Sequence, residues 1–128
     1  MQTPFKRTQG LGSAGAGTGQ FWTQRLTAIA NVPLAIFLVV LVLTLAGADY
    51  EAARSSIANP LVAVSLVLLI CSGVWHMCIG MQTIIEDYLH RPRFKIAALI
   101  LNVLFSGTIV ATCLWAVLKI SFNTPPFL

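Results

Sequence analysis

Residues 61–85 read LVAVSLVLLICSGVWHMCIGMQTII, a run with no aspartate, glutamate, lysine or arginine and a single histidine, His76. At about 1.5 Å per helical residue, such a run crosses the roughly 30 Å hydrocarbon core of a bilayer. Asn59-Pro60 suits its start, because proline is tolerated in a first turn, and Arg91-Pro92 suits its stop. Two further apolar runs flank it, Leu26 to Gly47 and Ile96 to Phe122, the second holding Lys119 near its far end. The 128-residue chain is 57% hydrophobic and 9% charged, with a mean hydropathy of +0.83, far outside ordinary globular usage. These features predict an all-α membrane protein with three transmembrane helices, at about 26–47, 60–88 and 95–122. Short connections make the arrangement up-down-up, with residues 25–122 as the transmembrane domain, 1–24 as an N-terminal segment and 123–128 as a C-terminal tail. Pro33 predicts a kink in the first helix, with Asn31 placed to satisfy the freed backbone or to face a partner helix.

The formal charge of +4 does not indicate nucleic acid, because the basic residues are split among segments and are not interleaved with aromatics on one surface. Their distribution speaks about topology. Lys6, Arg7 and Arg25 precede the first helix and Arg91, Arg93 and Lys95 fill the second connection, whereas the first connection holds Asp49, Glu51 and only Arg54. The positive-inside rule then places the N-terminus and the second connection in the cytoplasm and the C-terminus in the periplasm of a bacterial inner membrane. The N-terminal stretch lacks the short basic-then-apolar layout of a secretory signal and reads as a flexible lead to a retained helix. Its glycines, Gly10 to Gly17, do not form a phosphate loop, since no Gly-Lys-Ser/Thr follows. Cys71, Cys78 and Cys113 all fall within the apolar runs, without a Cys-x-x-Cys pair, and read as small apolar fillers.

His76 lies about 24 Å along the helix from Pro60 and about 18 Å from Tyr88, close to the bilayer middle. An imidazole at that depth needs a metal or a hydrogen-bond partner, and position alone leaves haem ligation and an interhelical polar contact both open. At about 100° per residue, Ser72, Gly73, Gly80 and Thr83 fall within about 60° of His76, a small and polar face. Gly73 and Gly80 would let a planar macrocycle approach the backbone, and small residues equally suit close helix packing. Asp87, eleven residues beyond His76, falls on the same face, with Tyr88 beside it. A phenol there can donate to a quinone carbonyl, and the carboxylate can orient it or relay protons. The alternative is an interfacial tyrosine beside an acid paired with Arg91 or Arg93.

Taken together, the stretch from His76 to Tyr88, HMCIGMQTIIEDY, resembles the signature of the hydrophobic membrane-anchor subunit of succinate dehydrogenase, the small cytochrome b anchor of respiratory complex II: His-x3-Gly-Met followed by Asp-Tyr. Phe21 to Ala28, FWTQRLTA, is similar to the Arg-x-Thr-Ala lead into that family's first helix. The sister anchor of the same complex is expected to carry His-x3-Gly-x-Arg-His-Leu in its second helix, where this chain has Met81-Gln82-Thr83. The resemblance implies that His76 supplies one axial nitrogen to a haem b shared with that sister anchor, which supplies the other. It implies that Tyr88 and Asp87 form part of a ubiquinone-reduction site, that Arg25 contacts a haem propionate, and that Gly73 and Gly80 pack on the haem face. Three helices packed against a second three-helix anchor would hold an iron–sulfur subunit and a flavoprotein subunit on the membrane. FAD and iron–sulfur clusters belong to those soluble subunits, since this chain has neither a flavin fingerprint nor a cysteine set for a cluster. Catalysis is then a property of the complex. Two other readings stand beside it. A fumarate reductase anchor without haem would not need His76 on its small-residue face. A transporter or assembly subunit is expected to show more helices, discontinuous segments or an internal repeat.

Overall fold

The computed structural model describes residues 14–122, and every element among them is helical. The order is α1 (Ala14–Leu45), α2 (Tyr50–Ala58), α3 (Pro60–Tyr88) and α4 (Pro92–Phe122). Three of these, α1, α3 and α4, are long and apolar enough to cross a membrane. The middle helix, α3, holds the whole of the apolar run 61–85. Residues 1–13 of the expected lead, with Lys6 and Arg7, and the tail at 123–128 lie outside the described residues.

Three boundaries differ from the reading of apolar runs, each for a local reason. The helix containing the first run starts at Ala14 and not near residue 26. Hydropathy marks the lipid boundary, whereas helix continues wherever the backbone ladder can; Thr23 satisfies its own hydroxyl there by donating it to the Gly19 carbonyl at 2.9 Å. The connection expected to be loop between 47 and 60 contains α2. Gly47 makes the turn with φ of 81°, a left-handed conformation that costs other residues about 1–2 kcal/mol. Asp49 then caps α2, its carboxylate accepting the Ala52 N–H at 2.9 Å. Finally α4 starts at Pro92 and not near 95, proline standing in the first turn where its missing N–H has no intrahelical role. Asn59 closes α2 and opens α3: its N–H bonds the Ser56 carbonyl, and its side-chain oxygen accepts from Leu61 N–H at 3.0 Å.

The helix α3 is the centre of the molecule. It packs against α1 on one side and α4 on the other, and α2 lies against the adjoining ends of α3 and α4. The three spans therefore form a row, not a closed bundle. Large apolar side chains such as Ile29, Val39, Leu43, Leu101 and Phe105 are exposed, whereas the buried residues include the polar Asn102 and Ser106. Lipid is the solvent for such a surface, so the apolar side chains face outward and polar groups seek the seams. Hydroxyls on the outside fold back on their own helices: Thr44 donates to the Leu41 carbonyl and Thr108 to the Leu104 carbonyl, each at 2.8 Å.

The seam between α3 and α4 is pinned by Asn102, whose side-chain amide donates to the Cys78 carbonyl at 2.9 Å and reaches Cys78 Sγ at 3.6 Å. Cys78 thus fills space and marks where α4 crosses, in keeping with an inert thiol. Replacing Asn102 by Leu removes an interhelical bond worth about 1 kcal/mol in membranes. The expected outcome is a lower thermal midpoint for the detergent-extracted assembly, read by scanning fluorimetry, while a lipid-facing control such as Leu101→Ile leaves it unchanged.

Candidate functional site

The seam between α1 and α3 is polar along its length. Gln20, Gln24, Thr27 and Asn31 recur on α1 at spacings of four, three and four residues, a heptad-like stripe on one helix face. Opposite them, running antiparallel on α3, stand Thr83, Gly80, His76 and Ser72. Gln20 donates its amide to Thr83 Oγ1 at 3.3 Å, and Thr83 donates to the Ile79 carbonyl at 3.1 Å. The Gln24 amide nitrogen lies 3.4 Å from where a Cβ on Gly80 would stand. Ser72 Oγ reaches the Thr27 carbonyl at 3.5 Å.

His76 meets this ladder at Thr27: its Nδ1 is 3.1 Å from Thr27 Oγ1. The same hydroxyl is 2.9 Å from the Thr23 carbonyl and 3.0 Å from the Gln24 carbonyl. A hydroxyl has one proton and two acceptor lone pairs. When its proton goes to one of those carbonyls, Thr27 presents a lone pair to the ring, and Nδ1 then carries the hydrogen while Nε2 carries the free pair. Fixing one ring nitrogen as donor to hold the other ready as a ligand is how proteins orient metal-binding histidines.

The surroundings separate the two glycines flanking His76. A Cβ at Gly73 would meet nothing within 4 Å, so α3 is open at that level, while Gly80, two turns along the same face, stands against Gln24. Two amide oxygens in the stripe, Gln24 Oε1 and Asn31 Oδ1, are buried without a hydrogen-bond partner, one on either side of Thr27. Asn31 thus faces the interior, and Pro33 interrupts α1 without ending it.

The other expected residues lie toward the opposite end from α2. Arg25 is exposed, its guanidinium 4.6 Å above the Phe21 ring. It borders a hollow of about 410 Å³ shared with Gln20, Phe21, Gln24, Ile79 and Thr83, one to two turns from His76 along α3. Asp87 and Tyr88 close α3, both exposed, Tyr88 at 77%. They are about 17 Å along the helix from His76, so the chain does not bring them into contact with it. The acid engaged at that turn is Glu86, which accepts from the Gln82 amide at 3.0 Å. No group of three histidine, cysteine or acidic side chains placed to hold a metal ion occurs among the described residues, leaving His76 as a single donor.

Sequence reasoning picked out His76 and its small-residue face but passed over the α1 stripe. Its signal was present, as polar residues repeating at four, three and four within and just before an apolar run. In a soluble helix that spacing marks the solvent side; in a membrane helix it marks the protein side.

Residues 1–118 match the family model described as "Succinate dehydrogenase/Fumarate reductase transmembrane subunit", and the chain belongs to that family. Among curated relatives, the succinate dehydrogenase hydrophobic membrane anchor subunit of Paracoccus denitrificans is 29% identical over 121 residues, covering 94% of this chain and 93% of its own length. The protein of the same name from Rickettsia bellii is 29% identical over 106 residues, covering 82% of this chain and 85% of its own, and that from Coxiella burnetii is 27% identical over 101, covering 79% and 85%. No solved structure matches the chain. The chain is thus a multi-pass membrane anchor, as its helices and its relatives together require.

The glycine in the α1 seam gives a direct test of this packing. Because the neighbour is the end of a flexible glutamine, Gly80→Ala is expected to leave assembly of the membrane complex within about 0.5 kcal/mol of wild type. Gly80→Leu is expected to force the helices apart and reduce the assembled fraction severalfold on blue-native gels.

Proposed function

We propose that this chain is the small cytochrome b anchor of a succinate:quinone oxidoreductase, holding one side of a haem b and part of a ubiquinone-reduction site. The observation that supports it most is the contact between Thr27 and His76. The Thr27 hydroxyl, already bonded to its own helix, holds the Nδ1 edge of the ring and leaves Nε2 without a hydrogen-bond partner among the described residues. Gly73 leaves room on the open side of α3 for a flat ligand. Gly80 lies on the same helical face but shares it with Gln24, so of the two it is Gly73 that has space to spare.

His76 would hold the haem iron from this chain, and the second membrane anchor, docked on the row of helices, would supply a further ligand. When bound, the haem supplies a one-electron store beside the quinone. Arg25, on the same seam and near the membrane boundary, offers a guanidinium to a propionate. At the end of α3, the Tyr88 hydroxyl donates to a quinone carbonyl, where it stabilises the charge that builds as electrons arrive from the iron–sulfur subunit. Asp87 beside it orients the phenol and passes protons from the aqueous side, two being needed for each quinone reduced to quinol. The flavoprotein oxidises succinate. This chain contributes geometry and proton handling. The surplus of Arg25, Arg91, Arg93 and Lys95 at the Tyr88 end supports a reading in which that end lies in the cytoplasm and the C-terminus in the periplasm of a bacterial inner membrane. The matched family also includes fumarate reductase anchors; the relatives described above carry the succinate dehydrogenase name and favour that direction.

Reduced-minus-oxidised spectra of the purified complex test the ligand. His76→Ala and His76→Tyr are expected to lose or shift the b-type absorption, and an unchanged spectrum with unchanged haem content would refute the assignment. Thr27→Val keeps the ligand but removes its orienting bond, with an expected loss of haem retention of about 10–100-fold that Thr27→Ser restores.

The quinone site has its own readout. Tyr88→Phe is expected to lower quinone reductase activity by about tenfold or more, while succinate oxidation with an artificial acceptor at the flavin stays at the wild-type rate. Equal quinone activity in the two proteins would remove the donor role.

A further inference from the structure

The α2 end of the molecule is the poorly basic end, yet the structure gathers its cations in one place. Arg54 of α2 and Lys119 in the last turn of α4 border a single hollow of about 350 Å³, together with Tyr50, Trp115, Ala116 and Ile120. The packing of α2 against α3 and α4 brings Arg54 to this position, half-buried. The nearest acids in sequence, Asp49 and Glu51, do not border the hollow; Asp49 is engaged in capping α2. Two like charges facing one concavity repel each other unless an anion lies between them.

The level of the hollow identifies the anion. Lys119 stands three residues from the end of α4, where the apolar span meets the headgroup layer, and Tyr50 and Trp115 are aromatic residues of the kind that settle at that layer. Trp115 and Ala116, one turn deeper on α4 than Lys119, give the same hollow an apolar wall on its membrane side. A charged head with two cations to hold it and an apolar wall below is the shape of a lipid. We propose that this hollow binds the phosphodiester headgroup of an anionic phospholipid in the leaflet at the α2 end, Arg54 reaching it as a planar fork and Lys119 as a point charge, with an acyl chain along α4. The bound lipid would hold α2 down on α4.

Native mass spectrometry of the assembled complex, titrated with phosphatidylglycerol, tests the site. Arg54→Gln/Lys119→Gln is expected to weaken the tightest-bound phosphatidylglycerol by about thirtyfold, and Lys119→Gln alone, at an exposed side chain, by about fivefold. Inorganic phosphate at the same concentration is expected not to displace the lipid, because it lacks the chains that lie against α4. Equal lipid affinity in wild type and the Lys119→Gln complex would overturn the proposal. Displacement by inorganic phosphate would overturn it too, since the hollow would then be a free-anion site.

Discussion

Hydrocarbon offers no hydrogen bonds, and that single constraint sorts most of the polar side chains described above. A polar group inside the bilayer is stabilised by bonding to its own helix or to a neighbouring one. Thr44, Ser65 and Thr108 take the first course and can therefore face lipid. Gln20, Thr27, Ser72, His76 and Asn102 take the second, and in doing so they decide which faces of α1, α3 and α4 meet. The result inverts the order of a soluble protein, with amides and hydroxyls in the seams and large aliphatic side chains outside. Because lipid tails are as apolar as leucine, hydrophobicity gives α1 no reason to prefer α3. Close approach and the polar ladder provide that preference.

The same ladder makes chemistry available. Thr27 is held by its own helix, so its hydroxyl is a fixed reference against which His76 is oriented. A loose histidine would turn toward whatever approached it; this one is held along its Nδ1 edge. The same bond ties α1 to α3 and, on the function proposed above, orients the ligand. Gly80 serves the packing, Gly73 leaves the opening, and both sit within about a turn of the ring.

Much of the fold was legible from hydropathy. The span from Pro60 to Tyr88 could be read directly, since Asn59-Pro60 gives an unambiguous start and the acidic and basic residues after Ile85 give an end. The helical extension before residue 26 and the short helix α2 were not legible, because neither depends on apolar content: the first rests on continuity of the backbone ladder, the second on an Asp49 cap and the freedom of Gly47. At the site, His76 stood out as an ionisable group in an apolar run, and Asp87 and Tyr88 through their spacing from it. Thr27 did not stand out. A threonine in a helix is commonplace, and its importance arises from a partner 49 residues away that no local pattern reveals.

The row α1–α3–α4 has two seams that share a helix but use different sides of it. His76 belongs to one and Cys78, with Asn102, to the other. Damage confined to one seam has no shared side chain through which to reach the other, so defects in α1 and in α4 should combine by simple addition. Mechanically the chain is two hinged pairs on a common shaft: a shift of α4 is felt first at Cys78, a shift of α1 first at His76.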